Sequence, residues 1–392
     1  MMDVDSLRAD TPGCKTKIHF NNAGAALLPA PVIEAMASYA ALEAVTGGYE
    51  AADMKEKEIE GFYGSMGKLL NCSPTNIAFA SSATNAFARA LSSIPFKCGD
   101  SILIANEDYI SNQLAFLSLK KRFGIELLRA ASCAEGGVAV DEMEKLMDRH
   151  HPRLVSLSHI PTNSGLIQPV EEVGTLCRNR NIPYLVDACQ SAGQLPLDVK
   201  KIQCDFLTGT FRKFLRGPRG AGFLFVSDAV LNQSLEPLFI DMRGAEWTEK
   251  DSYELRSDAR RFEDWELPVA LVLGSKVAAN YAVMVGPENI QQRNSHLCKQ
   301  VGETINQLGL TTLDRGRKLS SIITVKLPGK EGRSVLQFLR DKDINTSISN
   351  RSSAVIDFDN KAVSWALRIS PHYYNTEHEI GLLQQALQEF LN

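Results

Sequence analysis

The sequence has no long uninterrupted apolar segment. Its longest mostly apolar stretch, residues 269–285, is interrupted by Gly274, Ser275, Lys276 and Asn280. A membrane-spanning helix needs about 20 predominantly apolar residues, so we expect no membrane partner. The N-terminal residues are polar and mixed in charge, unlike the apolar segment of a secretion signal. We therefore expect a cytoplasmic protein.

Cysteine and positive charge are also limited. The eight cysteines include no Cys-x-x-Cys pair, so we expect reduced thiols and no metal site. The formal net charge of −4 lacks the positive excess that attracts nucleic acid, so no nucleic-acid partner is expected. With 44% hydrophobic and 22% charged residues, the composition is that of an ordinary globular protein. The 392 residues suffice for two domains.

A β–α–β unit is predicted in the middle of the chain. Short apolar runs at Leu154–Ile160 and Pro183–Val186 flank a helix-like segment, Pro169–Asn181. A third apolar run, Cys204–Phe211, leads to a glycine-rich segment at 217–222. This alternation is typical of an α/β fold with a parallel sheet.

Polar side chains follow the end of each of these apolar runs. Thr162 follows the first run, Asp187 and Gln190 follow the second, and Lys213 follows the third. In an open parallel sheet, ligands bind beyond the carboxyl ends of the strands. We therefore expect a carboxylate, an amide and a lysine to converge at one edge of the sheet.

The spacing of these residues resembles that of a known enzyme family. The segment D-A-C-Q at 187–190 is followed by T-F-R-K at 210–213 and by G-P at 217–218. This order is similar to that of the class V aminotransferases, which include the cysteine desulfurases and are fold-type-I enzymes dependent on pyridoxal 5'-phosphate (PLP). Several motifs in the right order are more specific than any single one.

The resemblance implies an architecture and an assembly. A large α/β domain at 21–274 is expected to carry a mostly parallel seven-stranded sheet between helices. A smaller α+β domain at 275–392 is expected to be joined by an N-terminal arm, residues 1–20, either mobile or clasping. The family resemblance also implies a homodimer with active sites at the subunit interface.

The resemblance also assigns the main cofactor contacts. Lys213 is the expected Schiff-base lysine and the base for the substrate Cα proton. Asp187 is expected beside the pyridine nitrogen, where a carboxylate favours the protonated ring. Gln190 is expected to hydrogen-bond the phenolic oxygen. Thr210 and Arg212 stand where the family usually has Ser and His near the phosphate, and arginine is a strong phosphate ligand.

Further cofactor contacts are expected from other parts of the chain. Ala83 and Thr84 precede a predicted helix, where backbone N–H groups suit a phosphate, although a plain helix cap is the alternative. Tyr109 takes the position of the family's aromatic ring that stacks on PLP, and it is the third catalytic candidate. Trp265 follows an Arg-Phe-Glu motif that reaches the neighbouring subunit's cofactor in the family. A core tryptophan is the alternative.

The expected substrate contacts are Asn22, Thr162 and Arg368. Asn22 lies in a segment similar to one near the family's substrate, and a plain turn is the alternative. Arg368 lies on a predicted strand and is expected to bind the substrate α-carboxylate bidentately. An ion pair within the protein is the alternative interpretation of this arginine.

One departure from the desulfurases concerns the reaction. Desulfurases that hold a persulfide carry a cysteine in the loop before the carboxylate-binding arginine. No cysteine lies between Ile344 and Arg368, and the last cysteine of the chain is Cys298. A cysteine-persulfide reaction is therefore disfavoured. The chain looks more like the branch of ergothioneine-pathway C–S lyases and isopenicillin-N-epimerase-like proteins.

The sequence therefore predicts a PLP-dependent enzyme that acts at Cα and Cβ of an amino acid. The expected reaction is β-elimination from a cysteine derivative by a C–S lyase. An aminotransferase or an amino-acid epimerase is the alternative. A catalytically silent binding protein would require the loss of Lys213 or Asp187, and both are present. A nucleotide-binding protein is disfavoured because neither G-x-G-x-x-G nor a P-loop occurs.

Overall fold

The computed structural model describes residues 2–392. Helices α1 to α15, in chain order within these residues, are Val4–Ala9, Ala30–Thr46, Gly48–Met54, Glu56–Leu70, Ala83–Ser92, Ile110–Phe123, Val140–His150, Val170–Arg180, Val199–Ile202, Asp228–Asn232, Val269–Val285, Pro287–Gln307, Gly332–Asp341, Val355–Asn360 and Glu377–Leu391. Strands β1 to β15 are Ile18–His19, Ile77–Ala80, Ser101–Ile104, Glu126–Arg129, Leu154–Ser158, Tyr184–Asp187, Phe206–Thr210, Gly222–Val226, Ala245–Glu249, Ser252–Leu255, Thr311–Thr312, Ile323–Lys326, Ile344–Asn345, Ser347–Asn350 and Trp365–Ile369.

The larger sheet has seven strands in the order β2-β8-β7-β6-β5-β3-β4. The neighbouring pairs β4–β3, β3–β5, β5–β6 and β6–β7 are parallel. Strand β8 runs antiparallel to both of its neighbours, β2 and β7. The predicted α/β class and the mostly parallel seven-stranded sheet are therefore confirmed. The register aligns Ser158 with Asp187 and Asp187 with Thr208, so the carboxyl ends of β5, β6 and β7 meet at one edge.

The strands of this sheet are apolar because both faces are covered. Val155 and Val186 belong to a hydrophobic cluster on one face, whereas their neighbours Leu154 and Leu185 belong to a cluster on the other face. Alternate side chains of a strand point to opposite faces, so a strand between two helical layers buries side chains on both faces and is mostly apolar. The short apolar runs of the sequence therefore become the central strands.

A second, antiparallel sheet has the order β11-β12-β15-β14. One face of this sheet packs against α12, α13 and α15. The hydrophobic core between them includes Val325 and Leu367 from the sheet and Leu339 and Leu383 from the helices. This arrangement confirms the predicted smaller α+β part. The segment at 344–348 does not form one continuous strand, because β13 pairs in parallel with β1 whereas β14 pairs with β15.

The N-terminal segment packs against the C-terminal part of the chain. Arg8 forms an ion pair with Glu379 at 2.9 Å, and Leu7 is buried in a cluster with Tyr281 and Tyr373. The segment is thus a clasping arm. The predicted boundary after residue 274 lies within α11, which packs against α2 and α4, and the division into two domains stays a prediction.

Across residues 2–392, no single helix has both the length and the apolar character of a membrane span. Only α11 and α12 taken together have them, and the two helices are bent by 76° at the break between them.

Candidate active site

Lys213 lies just beyond the carboxyl end of β7 and is buried, with 4% of its surface exposed. No group within residues 2–392 forms a hydrogen bond with its amine, which lies 5.8 Å from the centre of the Tyr109 ring. Burial penalises the charged ammonium and, together with the charge of nearby Arg212, lowers the pKa of Lys213 to about 8. A larger share of this lysine is therefore neutral and nucleophilic near pH 7 than of an exposed lysine.

Asp187 ends β6 and is held by donors on both carboxylate oxygens. The backbone N–H of Cys189 donates to Oδ1 at 2.9 Å, and the Asn112 side-chain amide donates to Oδ2 at 3.0 Å. These two donors fix the orientation of the carboxylate. The strand end predicted Asp187 as the site carboxylate, but Asn112 was missed.

A second buried carboxylate, Asp108, shares the Asn112 amide with Asp187. Asn112 donates to Asp108 at 3.1 Å, and Ser158 donates to it at 2.5 Å. The Tyr109 backbone N–H and the Gln113 side chain complete its donors, at 2.7 and 2.9 Å. Burial nonetheless raises the pKa of Asp108 to about 6, with Asp187 adding to the increase. The sequence analysis missed Asp108 although it directly precedes Tyr109.

Gln190 joins the β6 end to the loop that follows β5. Its side-chain amide donates to the Thr162 hydroxyl and to the Ala23 carbonyl, both at 3.1 Å. Its Oε1 atom is buried without a hydrogen-bond partner in the described chain. An orphaned polar atom in a buried site is expensive unless a ligand or water satisfies it.

Arg368 on β15 is buried and contacts only neutral groups. It donates to the Ser347 hydroxyl at 2.9 Å, to the Thr162 carbonyl at 3.1 Å and to Asn21 Oδ1 at 3.3 Å. Burial, together with Arg212, lowers its pKa to about 10. No carboxylate within residues 2–392 forms an ion pair with it. The internal ion pair is therefore not formed, and the guanidinium is available to an anionic ligand.

The Asn22 side chain is engaged within the protein, and its expected contact with the substrate stays a prediction. It is fully buried, and its amide donates to the Ser370 and His19 carbonyls while its Oδ1 accepts from the Tyr374 hydroxyl. All of its hydrogen-bonding atoms are thus used within the protein. The neighbouring Asn21 contacts Arg368 instead.

Ala83 and Thr84 form the start of α5, whereas the sequence analysis expected them to precede the helix. The helix is capped by Ser82, whose hydroxyl accepts from the Asn85 N–H at 3.0 Å. Gly222 faces this turn so closely that a Cβ would lie 2.6 Å from the Ala83 nitrogen. Only glycine permits this approach, which fixes the turn at the edge of the sheet.

The two other predicted phosphate contacts bind backbone carbonyls. The Thr210 hydroxyl donates to Ala221 at 3.4 Å, and Arg212 donates to Gly24. Arg212 is half-buried, and desolvation lowers its pKa. Its charge acts on Lys213, which places it in the site. The phosphate roles of Thr210 and Arg212 stay predictions.

The Arg-Phe-Glu motif before Trp265 is structural. Glu263 is fully buried and pairs with Arg243 at 2.9 Å, while accepting from the Tyr63 hydroxyl and from the Phe79 N–H. Trp265 itself is 49% exposed, so the core-tryptophan alternative is wrong. Its contact with a neighbouring cofactor stays a prediction.

The residues at this edge fit PLP. The unpaired Lys213 amine suits an aldehyde, the orphaned Gln190 Oε1 marks a missing polar partner, and the exposed N–H groups of the 83–84 turn suit a phosphate. Asp187 and Tyr109 supply a carboxylate and a ring to hold a flat, basic heterocycle. Asp187 would favour the protonated pyridine.

Comparisons with known proteins agree with this geometry. The chain is 28% identical over 397 residues to a probable cysteine desulfurase from Methanothermobacter thermautotrophicus, covering 99% of this chain and 98% of that protein. It is 24% identical to isopenicillin N epimerase from Streptomyces clavuligerus, covering 82% of each chain. The apo structure of a cysteine desulfurase from Thermococcus onnurineus NA1 has the same fold, with a TM-score of 0.91, 24% identity, and coverage of 100% of this chain and 98% of that one.

The family model for class V aminotransferases matches residues 18–383. This match spans nearly the whole chain and confirms the predicted family, enzyme class and cofactor. The protein therefore belongs to the class V aminotransferase family and is a PLP-dependent enzyme.

Proposed function

We propose that the protein is a C–S lyase of the cysteine desulfurase-like class, which eliminates a sulfur leaving group from Cβ of a cysteine derivative. The observation that carries this proposal is the pairing of an unpartnered Lys213 amine with an Arg368 guanidinium that has no internal counter-ion. An α-amino acid offers both groups what they lack, since its carboxylate pairs with Arg368 and its Cα proton is acidic enough for a base once PLP is bound.

Each side chain has a distinct task in this proposal. Arg368 binds the α-carboxylate while Asn21 and the Thr162 carbonyl fix its guanidinium plane. Lys213, whose pKa of about 8 lies close to neutral pH, would hold the cofactor through its amine and serve as the base for the Cα proton. Asp187 would face the pyridine nitrogen. Bound PLP supplies an electron sink for the charge left at Cα.

The cysteine inventory supports elimination over a protein-bound persulfide. The segment at 351–360 that precedes Arg368 contains serines but no cysteine. The Cys189 thiol lies in the electrostatic field of Asp187 and Lys213, but burial raises its pKa well above the usual value. A thiol that stays protonated is a poor nucleophile. Sulfur is therefore expected to leave with the substrate fragment and not on the enzyme.

An amino-acid epimerase or aminotransferase is the second candidate. The similarity to isopenicillin N epimerase supports it, because that relative matches 82% of this chain. Lys213 and Arg368 would serve these reactions equally well, since all three begin with removal of the Cα proton. The three reactions differ only in what happens to the negative charge that proton removal leaves at Cα.

Product analysis separates these candidates. PLP-loaded protein is incubated with L-cysteine, with a cysteine S-conjugate and with a cysteine sulfoxide, and the carbon products are identified. Pyruvate with ammonia supports the lyase, whereas alanine means desulfurase chemistry despite the missing loop cysteine. A keto acid that retains the side chain means transamination, and a D-amino acid means epimerisation. Any of the last three outcomes overturns the lyase proposal.

We further propose that the protein is a homodimer with its active sites at the subunit interface. Support comes from exposed apolar side chains within residues 238–265, where Phe239 is 83% exposed and Trp247 is 79% exposed. Exposed apolar side chains concentrated in one segment favour a protein interface. Light scattering should give a dimer mass for the wild type and a monomer mass for Phe239→Glu. A monomeric wild type would refute the dimer.

Two other assignments remain proposals. Residues 21–274 form the PLP-binding domain, and residues 1–20 with 275–392 form the smaller one, supported by the pairing of β1 with β13. A cytoplasmic location is supported by eight cysteines that are all free.

A further inference from the structure

A cavity of ≈ 320 Å³ lies beside the candidate active site. Its walls are the start of α6, the loop after β5, the end of β4 and the segment that begins α14. This volume falls within the range of about 300–1,000 Å³ that is usual for small-molecule sites. None of the roles assigned above uses this space.

The cavity borders the site on two sides. Asp108, which shares Asn112 with Asp187, lies in one wall next to Tyr109. Pro161 and Asn163 lie in the opposite part and flank Thr162, whose carbonyl accepts from Arg368. A substrate whose carboxylate is bound by Arg368 therefore has the cavity within reach of its side chain.

The cavity is roofed by the segment that would carry the persulfide cysteine in a desulfurase. Ser352, Ser353 and Ala354 line it, and the Ser353 carbonyl accepts from the Asn163 amide at 3.0 Å. This bond holds the roof to the loop after β5. Small side chains at these positions leave room below the roof instead of filling it.

The chemistry of the walls favours an apolar group with a polar end. The apolar wall residues are Ile110, Leu114, Leu117, Pro161, Ala354, Val355 and Ile356. The carboxyl groups of Glu107, Asp108 and Asp357 also line the cavity; burial raises the pKa of all three, and Asp357 pairs with Lys361 at 2.8 Å. Of the apolar residues, Leu114 and Leu117 are 58% and 49% exposed. Arg129 also lines the cavity; its Nη2 donates to Gln113 at 2.7 Å, whereas its Nη1 is buried without a partner. That Nη1 can donate to an acceptor at the far end of a bound group.

We propose that this cavity receives the substrate side chain, and that the preferred side chain is apolar along its length with an anionic or hydrogen-bond-accepting end. The inference rests on the proposed function, since it assumes an amino-acid substrate bound through Arg368. L-Cysteine, with a single sulfur beyond Cβ, would leave most of the cavity empty. A long S-substituent would displace water from the apolar wall and bring its end to Arg129.

Equilibrium binding of amino acids that cannot undergo elimination tests this inference. The ligands are L-alanine, L-2-aminoheptanoate and L-2-aminoheptanedioate, and the readout is the Kd from the shift of the bound cofactor's visible absorption. We expect both seven-carbon ligands to bind the wild type more tightly than alanine. The diacid should bind most tightly because its distal carboxylate meets Arg129.

Leu117→Trp should fill the cavity. It should raise the Kd of both long ligands by about tenfold or more and leave the Kd of alanine unchanged. Phe123→Trp, on the same helix but outside the cavity, is the matched control and should change none of the three. Equal weakening of alanine by Leu117→Trp, or no preference for long ligands in the wild type, would overturn the inference.

Arg129→Met should raise the Kd of the diacid by about tenfold and spare the monoacid. Arg122→Met, an exposed arginine on α6, is its control. An unchanged preference for the diacid in Arg129→Met would remove the anionic end from the inference. If no ligand, alanine included, shifted the absorption of the wild type, the proposed function itself would fail, and this inference would fall with it.

Discussion

The Asn112 side-chain amide donates to Asp187 Oδ2 across 3.0 Å. The same amide donates to Asp108 at 3.1 Å, so one buried asparagine bridges two carboxylates. In the proposed role of Asp187 beside the pyridine nitrogen, this donor orients the carboxylate. Asn112 would then support the cofactor site from one layer beyond the residues that touch the cofactor.

Asn112→Leu tests that bridge. Loss of a hydrogen bond to a buried carboxylate is worth about 1.5–3 kcal/mol, which corresponds to at least a tenfold rise in the Kd for PLP. Fluorescence titration of the apoprotein with PLP measures this Kd. Ser111→Ala, one residue earlier on α6, should leave the Kd unchanged. Equal affinities of Asn112→Leu and the wild type would show that the bridge does not support Asp187.

Asp108 should make stability depend on pH. Its folded pKa of about 6 lies above the ordinary 3.8, so the folded protein holds a proton there that the unfolded chain releases. Stability therefore falls as pH rises from about 4 to about 6, by about 3 kcal/mol at most. Denaturant unfolding of the apoprotein across this range should show that fall in the wild type. Asp108→Asn should lack this part of the decline.

The comparison uses the slope of the unfolding free energy against pH and not its absolute value. Asp108→Asn also loses acceptors for Ser158 and Gln113, so it is expected to be less stable at every pH. Parallel pH curves for the two proteins would mean that Asp108 keeps an ordinary pKa.

Arg368→Ala should weaken binding of substrates through their α-carboxylate. Removal of a buried guanidinium that pairs with a charged group typically costs about 2–5 kcal/mol, so KM should rise about 30-fold or more. Steady-state kinetics with the best substrate from product analysis measures this. Arg340→Ala, an exposed arginine on α13, is the control and should leave KM unchanged. An unchanged KM in Arg368→Ala would remove this arginine from the site.

Glu263→Gln should destabilise the fold without altering cofactor binding. Glu263 is fully buried and pairs with Arg243, so neutralising it leaves a charge without its partner, at about 3–5 kcal/mol. Chemical denaturation measures the loss. The exposed Glu266→Gln should be neutral. A stable Glu263→Gln protein with a raised Kd for PLP would mean that the Arg-Phe-Glu motif serves the cofactor directly.

Much of the fold could be predicted from local patterns. The central strands appear in the sequence as short apolar runs because the sheet is buried on both faces, and β5 begins at Leu154, as the predicted run does. The hairpin of β9 and β10 was missed because its exposed strands carry mostly polar residues. The division of the run at 344–348 depends on which distant strand each half pairs with, and no local pattern contains that information.

Only some residues of the candidate site could likewise be predicted from local sequence patterns. Asp187 and Lys213 could be predicted because strand ends and motif spacing mark them. Asp108 could not, because its contact with Ser158 joins residues 50 positions apart. The contact of Asn21 with Arg368 was not predicted, because a turn gives no indication of which of two adjacent amides faces the site. Side-chain direction in a turn is set by long-range packing, here by Tyr374.

The central claim is that Lys213 carries the cofactor, and chemical trapping tests it most directly. PLP-loaded wild-type protein is reduced with borohydride and digested, and the modified peptide is identified by mass spectrometry. We predict that the phosphopyridoxyl group lies on Lys213, and that Lys213→Ala loses both the modification and the visible absorption, while the exposed Lys200→Ala retains both. Modification of a different lysine in the wild type, or a Lys213→Ala protein that keeps full activity, would contradict the account.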